Sequence, residues 1–356
     1  MTTETAAATK AAKKGAKGED LYGRDATWPV QIPLRGWGQI FHRVWYESSR
    51  DNISVVSAGC AFYALFAIFP ALAALIALYG LMISPDTIEE HFKFLNTLLP
   101  DAAYAIVQQQ IERLAGASGQ SLGWGLGLSL GLAFWSTNNA ALAMFAALNI
   151  AYEEPERRSV LQFYFAATVF SLVGILGGLL MLLAIVYVPN IFAFFGFSDF
   201  FDYIVRLARW PFLALVAFVL LTALYRYGPC RKPARWRWAS VGSVIATVLW
   251  LAASAGFSLY VADFAQYGRI YGSLGAVIIL LFWFYLSFFI VILGAEINAE
   301  LELQTAKDTT SGTPKPMGER GAFVADHVAG GPTGAMRPYN PEAGEWREDG
   351  RGVTPG

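Results

Sequence analysis

Six stretches of this 356-residue chain are each apolar over about 20 residues or more: Ile53 to Ile83, Leu122 to Leu148, Val160 to Val188, Val205 to Tyr225, Ala239 to Phe264 and Gly272 to Ile297. About 20 such residues carry a helix across the hydrocarbon core of a bilayer. Runs such as Ala276-Val-Ile-Ile-Leu-Leu-Phe-Trp-Phe are apolar on every face, so the alternation of a membrane barrel is absent. A lone span in lipid satisfies its backbone polar groups only internally, which leaves the helix. The sequence therefore predicts an all-α, polytopic membrane protein with six transmembrane helices.

Charge supports this reading. Only 15% of the residues are charged, against about 25% in ordinary soluble domains. Of the 53 charges, 14 precede Ile53 and 13 follow Leu303, leaving 26 for the 251 residues between. Lysine and arginine are split unevenly: with six spans, 21 fall on the side of both termini and only five on the other. By the positive-inside rule both termini are expected in the cytoplasm of a bacterial inner-membrane protein. No apolar segment follows Lys10 to Lys17 closely enough to form a signal peptide. Residues 1–34 and 303–356, rich in Ala and Lys or in Gly, Pro and charge, read as disordered cytoplasmic tails flanking a six-helix domain at 35–302. Between the first tail and the first span, Trp37, Ile40, Phe41, Val44 and Trp45 recur at helical spacing, which suits an interfacial helix or one packed on the bundle ends. On the opposite side, Ser84 to Ser121 carries two apolar stripes, Ile88 to Leu99 and Tyr104 to Leu114, expected as an external amphipathic helical hairpin.

Several classes of chemistry have little material. A net charge of −1 gives no overall attraction to nucleic acid, and two cysteines make no disulfide framework. Only His42, His91 and His327 are available among histidines, and no metal or cofactor site is expected. Within the spans, Gly123, Gly127 and Gly131, then Gly174 and Gly178, and more weakly Gly242 and Ala246, have the four-residue spacing of close helix packing. The informative groups are polar ones placed in lipid, because each unpartnered group there costs a few kcal/mol. Ser136, Thr137, Asn138 and Asn139 fall near the middle of the second span, and Pro70 lies near the middle of the first. Adjacent asparagines point about 100° apart on a helix, so one neighbour cannot serve both. They form either interhelical hydrogen bonds or the wall of a polar path. A second constellation is charged: Arg226, Arg231, Arg235 and Arg237 in the fourth loop, with Glu296, Asn298 and Glu300 closing the last helix. These suit an ion-paired cytoplasmic mouth or contacts to anionic lipid headgroups.

Five motifs in order carry a resemblance: Ser57-Ala-Gly-Cys-Ala-Phe-Tyr-Ala-Leu-Phe-Ala-Ile-Phe-Pro; Trp135-Ser-Thr with Leu148-Asn-Ile-Ala-Tyr, Glu154 and Arg157; Leu224-Tyr-Arg-Tyr-Gly-Pro; Tyr271-Gly-Ser-Leu-Gly-Ala-Val; and Gly294-Ala-Glu-Ile-Asn-Ala-Glu. Over roughly Gly36 to Glu302 the chain resembles the YihY/virulence factor BrkB family of bacterial inner-membrane proteins. The resemblance implies a six-helix protein with cytoplasmic termini, an older ribonuclease label, and links to envelope lipid traffic. Phosphodiester hydrolysis needs a metal cluster or an acid/base pair beside a basic groove. The histidines are too scattered for this, and a nuclease is disfavoured. The expectation is a transporter or flippase-like protein for an envelope lipid or an anionic, amphipathic solute, with membrane lipids as partners. The alternative is a structural or assembly factor that docks an envelope protein or a second copy. No ATP-binding motif is present.

Overall fold

The computed structural model describes residues 21–82, 119–175, 199–264 and 273–329, with short pairs at 336–337, 339–340 and 345–346. The external hairpin and His91 lie outside the described residues. Seven helices follow one another: α1 (Leu34–Arg50), α2 (Ile53–Met82), α3 (Gly119–Ala151), α4 (Val160–Ile175), α5 (Asp199–Tyr227), α6 (Trp236–Phe264) and α7 (Ser273–Leu303). A short turn of helix, Phe323–Asp326, follows in the C-terminal segment. Each predicted span overlaps one of α2 to α7. Among the described residues, Ile53–Ala71, Trp236–Val261 and Val277–Leu303 are long and apolar enough to cross a membrane, and Val160–Ile175 and Pro211–Tyr227 are shorter apolar helices.

Helix α7 is the hub, packing on α6, α2, α1 and α3, while α2 lies along α3 and α5 along α6. One apolar cluster joins Leu148, Tyr152, Tyr225, Ile292, Ala295 and Leu303. A second joins Ile32, Ile40, Val44, Trp238, Ile297 and Leu301. Both gather where α1, α3, α5 and α7 end and α2, α4 and α6 begin, at an end of the bundle called here the capped end.

Helix α1 packs on the bundle and leaves an apolar face uncovered. Ile40, Arg43, Val44 and Glu47 are buried against the bundle, while Phe41, Trp45 and Tyr46 are exposed on its other face. Asn52 closes the α1–α2 junction at φ 51°, a left-handed conformation that asparagine accepts more readily than most residues. Pro70 lies inside α2 and Pro211 inside α5, and neither ends its helix. Glycine packing falls at the weakest predicted pattern. A Cβ at Gly242 would collide with the Gly294 carbonyl and reach the Asn298 amide at 2.7 Å, and one at Gly294 would lie 2.8 Å from Ala246. By contrast, Gly127, Gly131 and Gly174 face open space among the described residues.

The expectation of wholly disordered tails is corrected on both sides. Residues 21–34 include a 3-10 turn at Pro29–Gln31, where the Gln31 side chain accepts from the Thr27 and Trp28 amides. Residues 304–329 fold onto the capped end: Thr305, Thr309 and Thr310 are at most 1% exposed. The Arg235 amide donates to the Thr309 carbonyl, the Lys232 amide to that of Gly321, and the Ala306 amide to that of Arg24. These partners lie far apart in sequence, which is why composition alone suggested disorder. Two small antiparallel pairs complete the description, Val328–Ala329 with Met336–Arg337 and Tyr339–Asn340 with Glu345–Trp346.

Candidate functional site: a buried polar cap and an intramembrane polar seam

Charged pairings hold the capped end, three of them dense with hydrogen bonds. Arg43 of α1 pairs through Nε with Glu300 of α7, and its Nη2 donates to the Glu300 carbonyl at 3.1 Å and to Gln304 Oε1 at 2.9 Å. Arg231 reaches Glu302 at 2.6 Å, with the two side chains 1% and 0% exposed, and Thr309 donates to the same oxygen at 2.5 Å. The Arg231 guanidinium also lies over the Tyr152 ring, 4.9 Å from its centre. Glu156 accepts from the Arg158 backbone and side chain and from Asn149. Partial burial pushes its carboxyl up, but these hydrogen bonds outweigh burial and lower it to about 2.

Asparagines join the helices. Asn298 Oδ1 accepts from the Gly242 amide at 2.7 Å, while its Nδ2 donates to the Ala239 carbonyl at 2.9 Å. This clamp is possible because Gly242 lets α6 approach α7. Asn149 ties α3 to the 228–235 loop by accepting from the Cys230 amide at 2.7 Å, and the Tyr225 hydroxyl donates to the Val291 carbonyl at 2.7 Å. Beside this network, Glu47, Asp51 and Glu153 bring one carboxylate oxygen each within 4.8 Å of one another. Burial, then the neighbouring Glu153 and Glu47, raises the Asp51 carboxyl to about 6, and burial raises Glu47 as well.

The predicted charged mouth is thus assembled differently from its expected form. Arg231 meets Glu302, Arg235 donates to the Thr310 carbonyl at 2.9 Å, and Asn298 is spent on α6. Among the described residues Glu296 pairs with no arginine; its carboxyl faces Asp51. Like Arg235, Arg226 donates to a backbone carbonyl, that of Ala234, and both Arg226 and Arg237 also stack on aromatic rings. Arg226 lies over Trp236 and Tyr227, and Arg237 over Trp28, rings that are about half exposed. Sequence reasoning missed Arg43, Glu47, Asp51, Glu153 and Glu302. The four-residue spacing of Glu47 and Asp51 on one helix face was the available signal.

The intramembrane polar group lies on the α3–α4 seam. Thr168 of α4 donates to Asn138 Oδ1 at 3.2 Å, and Ser171 to the Thr137 carbonyl at 3.4 Å. Ser136 is 3% exposed and Asn138 9%. Thr137 turns its hydroxyl back onto the Ala133 carbonyl. The Asn138 amide nitrogen and the half-buried Asn139 side chain make no hydrogen bond among the described residues. Pro70 is half-buried on α2, the helix lying along α3.

Comparison with known proteins agrees with the membrane architecture. The chain is similar to the ribonuclease-like protein YfkH of Bacillus subtilis (strain 168), 37% identical over 49% of this chain and 65% of that protein. A UPF0761 membrane protein of Cronobacter sakazakii is 29% identical over 76% of this chain and 89% of its own length. Another, from Tolumonas auensis, is 40% identical over 26% of this chain and 29% of its own. The match thus spans less than two thirds of YfkH and of the Tolumonas protein. No solved structure matches. The sequence profile of virulence factor BrkB matches residues 44–318, which takes in the α3–α4 seam and most of the capped end but stops before Arg320 to Ala329, and the chain belongs to that family.

Proposed function

We propose that this membrane protein moves an envelope lipid, or an anionic and amphipathic solute of that kind, across the bacterial inner membrane along the α3–α4 seam. Six helices span the membrane in this reading, and the capped end is cytoplasmic, as the 21-to-5 distribution of basic residues requires. The observation that carries it is the Asn138 amide nitrogen with the Asn139 side chain. Both are free of hydrogen bonds among the described residues and stand at mid-helix in an apolar span, with Asn138 beside Thr168. An unfilled polar group in lipid is costly, and a passing headgroup fills it. Arg226 and Arg237, set among Tyr227, Trp236 and Trp28, have the arginine-and-aromatic character of a headgroup-level belt. Arg231 is buried against Glu302 and leaves that role. Arg43 and Arg231 are likewise held in buried pairs rather than lining a groove for RNA, which supports a function other than a nuclease and one without nucleic acid.

The test is reconstitution into vesicles carrying a fluorescent anionic phospholipid, with a membrane-impermeant quencher added outside. Wild type should expose the inner-leaflet probe, and Asn138→Leu/Asn139→Leu should slow that exposure severalfold. A probe that stays protected with wild type present, or a double variant as fast as wild type, overturns the proposal in favour of a structural or assembly role.

A further inference from the structure

Four carboxyl groups from three separate segments converge at the capped end. Glu47 sits in the last turn of α1, Asp51 directly after it, and Glu153 two residues beyond α3; their oxygens lie within 4.8 Å of one another. The fourth comes from inside the bundle. Glu296 of α7 is 2% exposed, and its Oε1 has no hydrogen-bond partner among the described residues. Its carboxyl faces Asp51, with Glu47 close behind. Positive charge nearby is scarce. Arg50 reaches Glu47 at 3.1 Å and Glu153 at 3.7 Å but is 43% exposed. Arg43 is committed to Glu300 and Gln304. Among the described residues, four carboxyl groups thus share one half-exposed arginine, and Glu296 and Asp51 lie within hydrogen-bond reach of each other, a crowding of acids that a bound cation relieves.

We propose that Glu47, Asp51 and Glu153, with Glu296 as the buried fourth ligand, bind one hard divalent cation. An all-oxygen donor set selects calcium, magnesium or manganese over softer metals. Calcium–oxygen distances of about 2.3–2.6 Å place opposite ligands about 5 Å apart, so the oxygens of Glu47, Asp51 and Glu153, within 4.8 Å of one another, can share one calcium while Glu296 approaches from the Asp51 side. Magnesium, at about 2.0–2.1 Å, would draw the oxygens closer. The location is favourable for a second reason: α1 and α3 both end here, and a helix C-terminus carries the negative end of its dipole. A bound ion clips the α1–α2 junction, the end of α3 and α7 together, adding to the links that Arg50 and Arg43 already make there.

The experiment uses full-length protein in detergent, stripped with a chelator and dialysed. Thermal melting is followed against calcium and, separately, magnesium, and manganese binding is counted by electron paramagnetic resonance. A saturable rise in Tm and one manganese per chain are expected. Both should disappear in Asp51→Asn and in Glu296→Gln and persist in Glu156→Gln, whose carboxylate lies outside the cluster. Should either variant fail to fold, Glu153→Gly carries the same test, because glycine suits the left-handed φ of 53° at that position. Absence of a saturable shift with either cation together with no stoichiometric manganese overturns the site, and so does binding that survives the substitutions. The measurement needs no lipid movement, so the two proposals fail independently.

Discussion

Arg231 and Glu302 are withdrawn from water together, 2.6 Å apart and almost fully covered. A buried charge deprived of its partner costs about 3–5 kcal/mol, whereas replacing both by apolar groups is often neutral. Arg231→Met alone should therefore lower the Tm sharply, and Arg231→Met/Glu302→Leu should recover much of the loss. Melting of the two variants in one detergent checks this; a double variant as unstable as the single would show that the pair is not what matters. Glu156 makes the corresponding statement about pH. Its carboxyl lies at about 2 in the folded protein against an ordinary 4.5, so its contribution to stability is present above pH 4.5 and is lost as pH falls toward 2. Wild type should lose Tm faster than Glu156→Gln over that window. The effect is modest, because the Glu156 side chain is 28% exposed and solvent screens it. The Arg231–Glu302 partnership was not legible residue by residue, since the two are 71 positions apart, whereas Glu156 stands two residues from Arg158. Looking for histidine as the mark of a metal site also hid the carboxylates, which a hard cation prefers.

Elements were more legible than their contacts. Every predicted span overlaps a helix because apolar length is a local property, readable wherever about 20 such residues run together. Which faces meet is not local. Gly127 and Gly131 show the small-residue spacing most plainly yet face open space among the described residues, while Gly242, flanked by the polar Ser243, touches the α7 backbone. Gly242→Ala should therefore cost about 1–3 kcal/mol by overpacking the α6–α7 crossing and disturbing the Asn298 clamp. Gly131→Ala should be neutral, or stabilise by up to about 1 kcal/mol through helix propensity. Thermal melting of the two alanine variants separates them, and equal losses would mean that Gly131 is also packed. The Asn138 region was half legible. A polar cluster in a span announced itself, but Thr168, the partner that fixes where Asn138 points, carries no signal of its own in an apolar segment.

For the whole molecule, composition divided the chain into an apolar middle and polar ends, and the structure shows what that division conceals: part of the polar C-terminal segment belongs to the fold. Its order comes from backbone groups in other loops, which no window along the sequence contains. Lys232 and Arg235 donate their amides to Gly321 and Thr309, Ser311 donates to Pro233, and Thr309 completes Glu302. The 228–235 loop is therefore held closed from outside by residues 304–329. Deleting residues 304–356 removes those acceptors, leaves the Arg231–Glu302 pair open to solvent and frees the loop that carries both Arg231 and Arg235. Deleting only residues 336–356 keeps all of these contacts. Trypsin applied to the purified proteins should cut the larger deletion at Arg231 or Arg235 much faster than wild type, with the smaller deletion behaving as wild type. Equal cutting rates for the two deletions would place the restraint on the loop elsewhere, whereas the expected difference makes residues 304–329 a structural part of the capped end.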